Sequence, residues 1–155
     1  MFYKFLILAL VISSCSSSCK SKVKINDLVL YYADEANFPY CQHINNCLAL
    51  DQNSIKIMFG QNRNFLDGET SYMDCFYIYK ITEIMGEDQV IEFIKTFSSD
   101  ELVTFRNKLE VGLDYKPNEV NRLLDHFPKI HHYFLKKQLD PDSALNPNVL
   151  NEQAK

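Results

Sequence analysis

The spacing of apolar residues changes near residue 70 of this 155-residue chain. Beyond Thr70, apolar residues recur at intervals of three and four, which is typical of an amphipathic α-helix. Between Val23 and Gly60 this period is weak, and the apolar runs DLVLYY and SIKIMFG are bounded by Asn, Asp, Pro and Gly. Runs of that kind favour strands or irregular structure. The pattern therefore predicts a mainly α fold, with a small domain of four to five helices behind a short β or irregular N-terminal segment.

Start and stop signals divide the region after Thr70 into helices. Ser or Thr before an apolar run favours a helix start, glycine favours a stop, and proline is tolerated in the first turn. Ser98 and Glu101 have the spacing of a capping box, in which each side chain accepts from the other residue's backbone. The predicted helices run from Thr70 to Gly86, from Glu87 through Phe97, from Ser98 through Leu113, from Pro117 through Leu124, and from Ile130 to Gln138.

The first fifteen residues, MFYKFLILALVISSC, combine one cation, a short apolar run and a cysteine. Lys4 supplies a positive n-region, Phe5–Ile12 supplies an apolar h-region, and Ser13 and Ser14 supply a small-residue cleavage site. The apolar run of eight residues is too short to span a bilayer, which takes about 20 residues in a helix. The segment resembles the lipobox signal of bacterial lipoprotein precursors, with Ile12 where Leu is commonest and Ser14 where Ala or Gly is commonest.

This resemblance implies that Cys15 carries lipid. In such precursors the cysteine sulfur receives diacylglycerol, the bond before it is cut, and the new amine is acylated, with palmitate among the expected chains. Two or more acyl chains hold a protein stably on a membrane. We therefore expect a protein anchored in the cell envelope, facing the periplasm if the organism is Gram-negative. The alternatives are a secretory signal or an uncleaved N-terminal helix; Cys19 is a rival acceptor but lacks the preceding apolar residue.

Composition divides the chain into four parts. Residues 1–14 are the predicted signal peptide, and residues 15–24 are the predicted lipidated tether, because SSSCKSKVK is polar and has no helix or strand period. Lysines in this tether could gain about 1 kcal/mol each from an anionic membrane surface, although solvation of a linker explains them equally well. Residues 25–139 form a single mainly helical domain, and residues 140–155, with two prolines, are an extended or disordered tail.

The charge balance bears on the class of partner. The chain has 16 basic and 20 acidic side chains, for a net charge of −4. Proteins that bind nucleic acid neutralise phosphates with clustered Lys and Arg, and no such cluster lies outside the tether. The sequence therefore disfavours nucleic-acid binding.

Four cysteines beyond Cys15 would lie in an oxidising compartment, where disulfides persist, and they allow three full pairings. Cys41 and Cys47 flank the polar segment QHINN, which contains turn-forming residues, so we favour a bridge between these two. A structural zinc site would need two to four residues between paired ligands, whereas Cys41 and Cys47 have five. Cys75 lies in a hydrophobic run and is expected to be a buried thiol, and Cys19 is left without an assigned partner.

Few residues offer catalytic or metal-binding chemistry. His126, His131 and His132 form the densest group, but neighbours on a helix point about 100° apart, and Pro128 separates His126 from the other two. Phosphate-binding, dinucleotide-binding and Gly-x-Ser-x-Gly signatures are absent from the sequence. A pair formed by His43 with Cys47 or Cys75 needs geometry that sequence does not supply. We predict no catalytic residue, no metal and no cofactor.

Aromatic residues suggest a binding surface. The chain has nine tyrosines and eleven phenylalanines, and YYADEANFPY mixes rings with acids in a predicted loop. Tyr31, Tyr32, Phe38 and Tyr40 are therefore candidate interface residues, although a role in the core is the competing explanation. The favoured function is a non-enzymatic, lipid-anchored protein that binds another protein at the envelope, for example an immunity protein against a periplasmic toxin. The alternative is an envelope enzyme or metal-binding protein that uses the His126–His132 region.

Overall fold

A computed structural model shows the fold and describes residues 19–114 and 123–137. Within these two ranges the chain forms eight helices and no strand. They are α1 (Asp27–Glu35), α2 (Tyr40–Leu48), α3 (Gln52–Gly60), α4 (Gly68–Met85), α5 (Glu87–Ile94), α6 (Ser99–Asp114), α7 (Leu123–His126) and α8 (Pro128–Lys136). The mainly α prediction is confirmed, and the predicted number of helices is too low.

The predicted β or irregular segment before residue 60 is wrong, because it forms α1, α2 and α3. Each of these helices has nine residues, and in α1 the apolar residues lie on both the exposed and the buried side, so no helical stripe stands out there. Local capping marks two of them: the side chain of Asn26 accepts from the Leu28 amide at 2.8 Å, and that of Asp51 accepts from the Ser54 amide at 2.7 Å. These caps satisfy backbone donors that no helical carbonyl reaches.

The boundaries of α4, α5 and α6 follow the sequence signals closely. The helix α4 begins at Gly68 rather than after a cap at Thr70, because Thr70 Oγ1 accepts from the Asp67 amide at 3.1 Å as part of a capping box. It ends at Met85, and the φ of +80° at the next residue, Gly86, suits a residue without Cβ. The capping box before α6 is confirmed, since the Ser98 amide donates to Glu101 Oε2 at 2.8 Å.

The core centres on α6, which packs on α4, the longest of the described helices, and on α3. Phe59 and Phe105 stack with ring centroids 4.8 Å apart, and both are fully buried. Gly112 lets α6 approach α4 closely: a Cβ added there would lie 2.5 Å from the Cys75 carbonyl oxygen and 2.9 Å from Tyr79 Cβ. The contact between these two helices therefore depends on the absence of a side chain at position 112.

The end of the described chain consists of α7 and α8. Phe127 separates them, and Pro128 takes the first position of α8, where its missing amide costs nothing. The predicted last helix is confirmed, although it begins two residues earlier than expected, at Pro128. It ends at Lys136, two residues before the predicted end at Gln138. The predicted helix start at Pro117 and the tail 140–155 lie outside the described residues.

The segment before α1 packs on the domain. Val23 and Ile25 are each 7% exposed and belong to the core, and Cys19 is joined to Cys41 of α2 by a disulfide. Residues 19–24 were predicted to be a tether, so this part of the prediction is corrected: the folded domain includes them. The predicted signal peptide and Cys15 lie outside the described residues. Among the helices that the structure describes, none combines the length and apolar character needed to cross a bilayer.

Candidate functional site

The outer side of α1 exposes apolar and acidic side chains together. Five residues at helical spacing share this side and are all exposed: Asp27, Leu28, Tyr31, Asp34 and Glu35, here called the α1 face. The exposed fraction is 57% for Tyr31 and 44% for Leu28. Large apolar side chains with this exposure are the type that protein partners cover.

The opposite side of α1 fixes the helix on the domain. Val29 and Ala33 are buried one turn apart, with 0% and 1% exposure. The backbone amide of Asn26 donates to the hydroxyl of Tyr77 on α4 at 2.8 Å. At the other end, Asn37 adopts a φ of +53°, which ends the helix in the left-handed region that asparagine tolerates. The α1 face is therefore presented on a helix whose buried side packs in the core and whose start is bonded to α4.

The carboxylates of the α1 face have no partner within the described part of the chain. The side chains of Asp27, Asp34 and Glu35 form no ion pair or hydrogen bond with any residue in the described ranges. Asp34 and Glu35 both lie one turn from Tyr31. The ring of Tyr31 is thus surrounded by negative charge, an arrangement that suits a cationic partner surface.

The four predicted interface residues differ in their exposure. Tyr31 is exposed, and Tyr32 is half-buried with its ring 5.5 Å from that of Tyr31 in an edge-to-face contact. Phe38 is half-buried, with its ring 5.2 Å from that of Phe65. Tyr40 is only 1% exposed, so its prediction as an interface residue is corrected. Its hydroxyl donates to Asp74 Oδ1 at 2.6 Å, which explains why a polar ring tolerates burial.

The densest set of ionisable groups is a buried cluster that the sequence analysis missed. Arg63 donates from Nε to Asp74 Oδ1 at 2.8 Å and from Nη2 to Asp74 Oδ2 at 2.7 Å. Lys108 Nζ lies 3.7 Å from Asp74 Oδ2. The side chains of all three residues are at most 6% exposed. Together with Tyr40, these residues form what we call the Asp74 cluster.

The cations of the Asp74 cluster also close the C-terminal end of α3. Arg63 donates to the carbonyls of Ile57 and Met58 at 3.2 and 2.9 Å, and Lys108 donates to the carbonyls of Met58, at 3.0 Å, and Gln61. Carbonyls at a helix C-terminus carry partial negative charge and lack helical donors. Among the described residues, every buried side-chain nitrogen and oxygen has a hydrogen-bond partner. The cluster therefore ties α3, α4 and α6 together and is structural.

Burial shifts the pKa of two groups in the Asp74 cluster. Desolvation, followed by the charge of Arg63, lowers the pKa of Lys108 from 10.5 to about 8. Desolvation, followed by the charge of Asp74, raises the pKa of Tyr40 well above its ordinary value. A pocket of about 280 Å³ lies over this cluster, with Asn62, Ser71 and Asn107 in its wall. At neutral pH Lys108 is thus still protonated, and Tyr40 is a neutral phenol.

The disulfide joins Cys19 to Cys41, so the predicted bridge from Cys41 to Cys47 is wrong. Both Cys41 and Cys47 lie in α2, where a separation of six residues corresponds to about 9 Å along the axis. A disulfide requires Cα atoms within about 7 Å of each other. The expectation failed because QHINN was interpreted as a turn, whereas it is helical.

The remaining thiols are poor nucleophiles. Cys47 and Cys75 are buried, and desolvation raises the pKa of Cys47 to about 12 and that of Cys75 to about 11. A reactive cysteine needs a lowered pKa, because the thiolate is the nucleophile. The hypothetical pairing of either thiol with His43 is therefore disfavoured. Cys75 is confirmed as a buried thiol.

His43 takes part in a cap rather than in a catalytic triad. Its Nδ1 lies 3.1 Å from Ser54 Oγ, and Asp51 is hydrogen-bonded to Ser54 instead of orienting the histidine. Ser54 is 1% exposed. Burial, followed by the charge of Arg63, lowers the pKa of His43. Because a triad needs the acid on the histidine and an accessible hydroxyl, this arrangement lacks two of its requirements.

The predicted histidine group is spread over two helices. His126 ends α7, with its ring 6.2 Å from that of Tyr79, while His131 and His132 lie on α8. Within residues 19–114 and 123–137, no three His, Cys, Asp or Glu side chains are arranged to hold a metal ion. His132 instead lines an apolar groove of about 450 Å³ between α5 and α8, whose wall includes Ile91 and Tyr133.

Comparisons of the chain with protein-family models, with curated proteins and with solved structures give no match.

Proposed function

We propose that this protein is a lipid-anchored envelope protein whose helical domain binds another protein through the α1 face. The observation that carries the proposal is the exposure of Tyr31 and Leu28 among three carboxylates that have no partner in the described chain. Burying a tyrosine ring and a leucine against a partner would contribute favourable free energy, and the carboxylates would select a basic surface. The domain acts by binding and has no catalytic step.

The envelope location is supported by two independent features. The segment ending at Cys15 resembles a lipoprotein signal, which would place the anchor four residues before Cys19. The Cys19–Cys41 disulfide is a bond that persists in oxidising compartments such as the periplasm and is rare in the cytosol. Both features fit export. An immunity protein that binds a basic periplasmic toxin is one specific form of this proposal.

The proposal is tested by site-specific crosslinking in cells. A photoreactive phenylalanine replaces Tyr31 in one variant and Tyr72 in the matched control, since Tyr72 is 55% exposed and lies on α4. We expect position 31 to give a discrete crosslinked protein, identified by mass spectrometry, and position 72 to give none of it. Charge reversal at Asp34 and Glu35, both to Lys, should abolish that crosslink. The proposal is overturned if position 31 yields no discrete product, or the same products as position 72.

A further inference from the structure

The segment that leads into α1 turns its lysines outward. Val23 and Ile25 are buried in the core, while Lys22 and Lys24 between and beside them are exposed, as is Lys20. The backbone bends at Lys22 and Val23, and from Lys22 to Ile25 exposed and buried side chains alternate. The three lysines therefore line the outer edge of the segment, and we call them the lysine edge.

The lysine edge has no acidic partner within the described residues. Three other exposed lysines are paired there, Lys56 with Glu101 at 3.3 Å, Lys95 with Glu92 at 2.5 Å and Lys129 with Asp88 at 2.6 Å. At the end of α8, the exposed Lys136 and Lys137 form no ion pair with a described residue, but they are adjacent in sequence to no third lysine. No ion pair or side-chain hydrogen bond involves Lys20, Lys22 or Lys24 in the part of the chain that the structure describes. Three like charges within five residues repel one another, so an anionic surface would be a favourable partner.

The disulfide limits how far the domain can lie from the proposed anchor. Cys19 is bonded to Cys41, at the start of a helix that packs on α3 and α4. Only four peptide units connect Cys15 to Cys19, and these span at most about 14 Å in any conformation. Charges attract a surface over about 8–10 Å at ordinary salt concentration. If Cys15 is lipidated, the lysine edge is the part of the domain nearest to the headgroups.

We propose that the lysine edge docks on anionic phospholipid headgroups and that the Cys19–Cys41 disulfide holds it there. This inference rests on the proposed lipid anchor, which keeps the lysine edge close to the membrane. The attraction itself comes from the lysines, which have no acidic partner in the described chain. Each lysine close to an anionic surface strengthens the contact about fivefold. The same surface repels the carboxylates of the α1 face, which disfavours contact of that face with the membrane.

The test uses the mature protein purified from membranes and returned to vesicles, either of phosphatidylcholine alone or with added phosphatidylglycerol. A water-soluble acylating reagent labels exposed amines, and mass spectrometry measures the rate at each lysine. We expect labelling of Lys20, Lys22 and Lys24 to be about fivefold slower on the anionic vesicles. High salt should restore the rate because it screens the charges. Lys56, which is exposed on α3, should be labelled at the same rate on both kinds of vesicle.

Flotation of the same samples separates the two proposals. If the protein floats with both vesicles and its lysine edge is labelled equally on both, docking is wrong and the anchor stands. If it floats only with anionic vesicles, the anchor is wrong and docking stands. If it floats with neither, both are wrong.

A variant with Cys19→Ser and Cys41→Ser tests the role of the disulfide. It keeps every lysine but lengthens the connection between the anchor and the domain. We expect the protection of Lys22 and Lys24 on anionic vesicles to fall at least twofold, with helix content by circular dichroism unchanged. If the variant is folded and the protection is unchanged, the disulfide has no role in docking. If the variant loses helix, the same labelling is done on the wild type under mild reduction, and unchanged protection there would lead to the same conclusion.

Discussion

Arg63 and Asp74 form a buried bidentate ion pair, with Nε–Oδ1 and Nη2–Oδ2 distances of 2.8 and 2.7 Å. Arg63 lies in the loop after α3, and Asp74 lies in α4, so the pair fixes the course of that loop against the longest helix. Lys108 from α6 completes the contact at 3.7 Å. One carboxylate therefore holds two cations that would otherwise be buried without a counter-charge.

The first prediction concerns the removal of this carboxylate. Asp74→Ala leaves Arg63 and Lys108 buried without their anion, which should lower the free energy of unfolding by about 3–5 kcal/mol. Urea denaturation followed by circular dichroism measures the loss. The matched control is Asp88→Ala, whose partner Lys129 is exposed, and it should cost much less because solvent screens the pair. Equal losses in the two variants would contradict a structural role for the Asp74 cluster.

Much of the helical architecture was predictable, but the Asp74 cluster was not. Gly86 and the Ser98–Glu101 capping box predict the starts of α5 and α6, and both are found at those positions in the structure. A signal for the cluster did exist, because Asp74 precedes the buried Ile78 by one turn and thus occupies a core position. A charge at such a position predicts a buried partner without identifying it.

The prediction of strands or irregular structure in the N-terminal half was wrong for a different reason. In α1 the buried side is only Val29 and Ala33, while Leu28 and Tyr31 are exposed on the other side, so the apolar residues show no helical stripe. Pairing of Cys41 with Cys19 instead of Cys47 depends on whether QHINN is helical, which tertiary packing decides. These features follow from contacts between segments that local patterns do not encode.

The second prediction is a pH dependence from Lys108. Because its pKa falls from 10.5 to about 8 on folding, the unfolded chain holds more protons on this side chain between those values. The contribution of Lys108 to the free energy of unfolding therefore increases as pH rises from 8 to 10.5. The raised pKa of Tyr40 has the opposite effect at higher pH, since folding then opposes ionisation of the phenol.

Comparison with Lys108→Met isolates this effect, since the variant keeps Tyr40 and both thiols. The difference in unfolding free energy, wild type minus variant, should increase by about 2–3 kcal/mol between pH 7.5 and 10. Urea denaturation at each pH gives this difference. A difference that is constant or decreases with pH would contradict the lowered pKa.

The third prediction counts thiols. Native protein should react slowly with Ellman's reagent at pH 8, because burial raises the pKa of Cys47 to about 12 and that of Cys75 to about 11. Mature protein that is denatured without reduction should show two thiols, since Cys19 and Cys41 are joined and Cys15 carries lipid. Four thiols would argue against the disulfide, and three against the lipid.

The fourth prediction concerns the close contact of α4 and α6. Gly112→Ala would normally stabilise a helix by about 1 kcal/mol. Here the new Cβ would lie 2.5 Å from the Cys75 carbonyl oxygen, so we expect a net loss of about 1–3 kcal/mol. Thermal or urea denaturation decides the sign, and a more stable variant would show that the two helices can separate freely.

Intact-mass and peptide analysis of the mature N-terminus tests the central claim of a lipid-anchored protein most directly. The account predicts that the chain begins at Cys15 and that this residue carries a diacylglyceryl group on sulfur and an acyl group on its amine. A mature chain that begins at any other residue, or a Cys15 without added lipid mass, would contradict it.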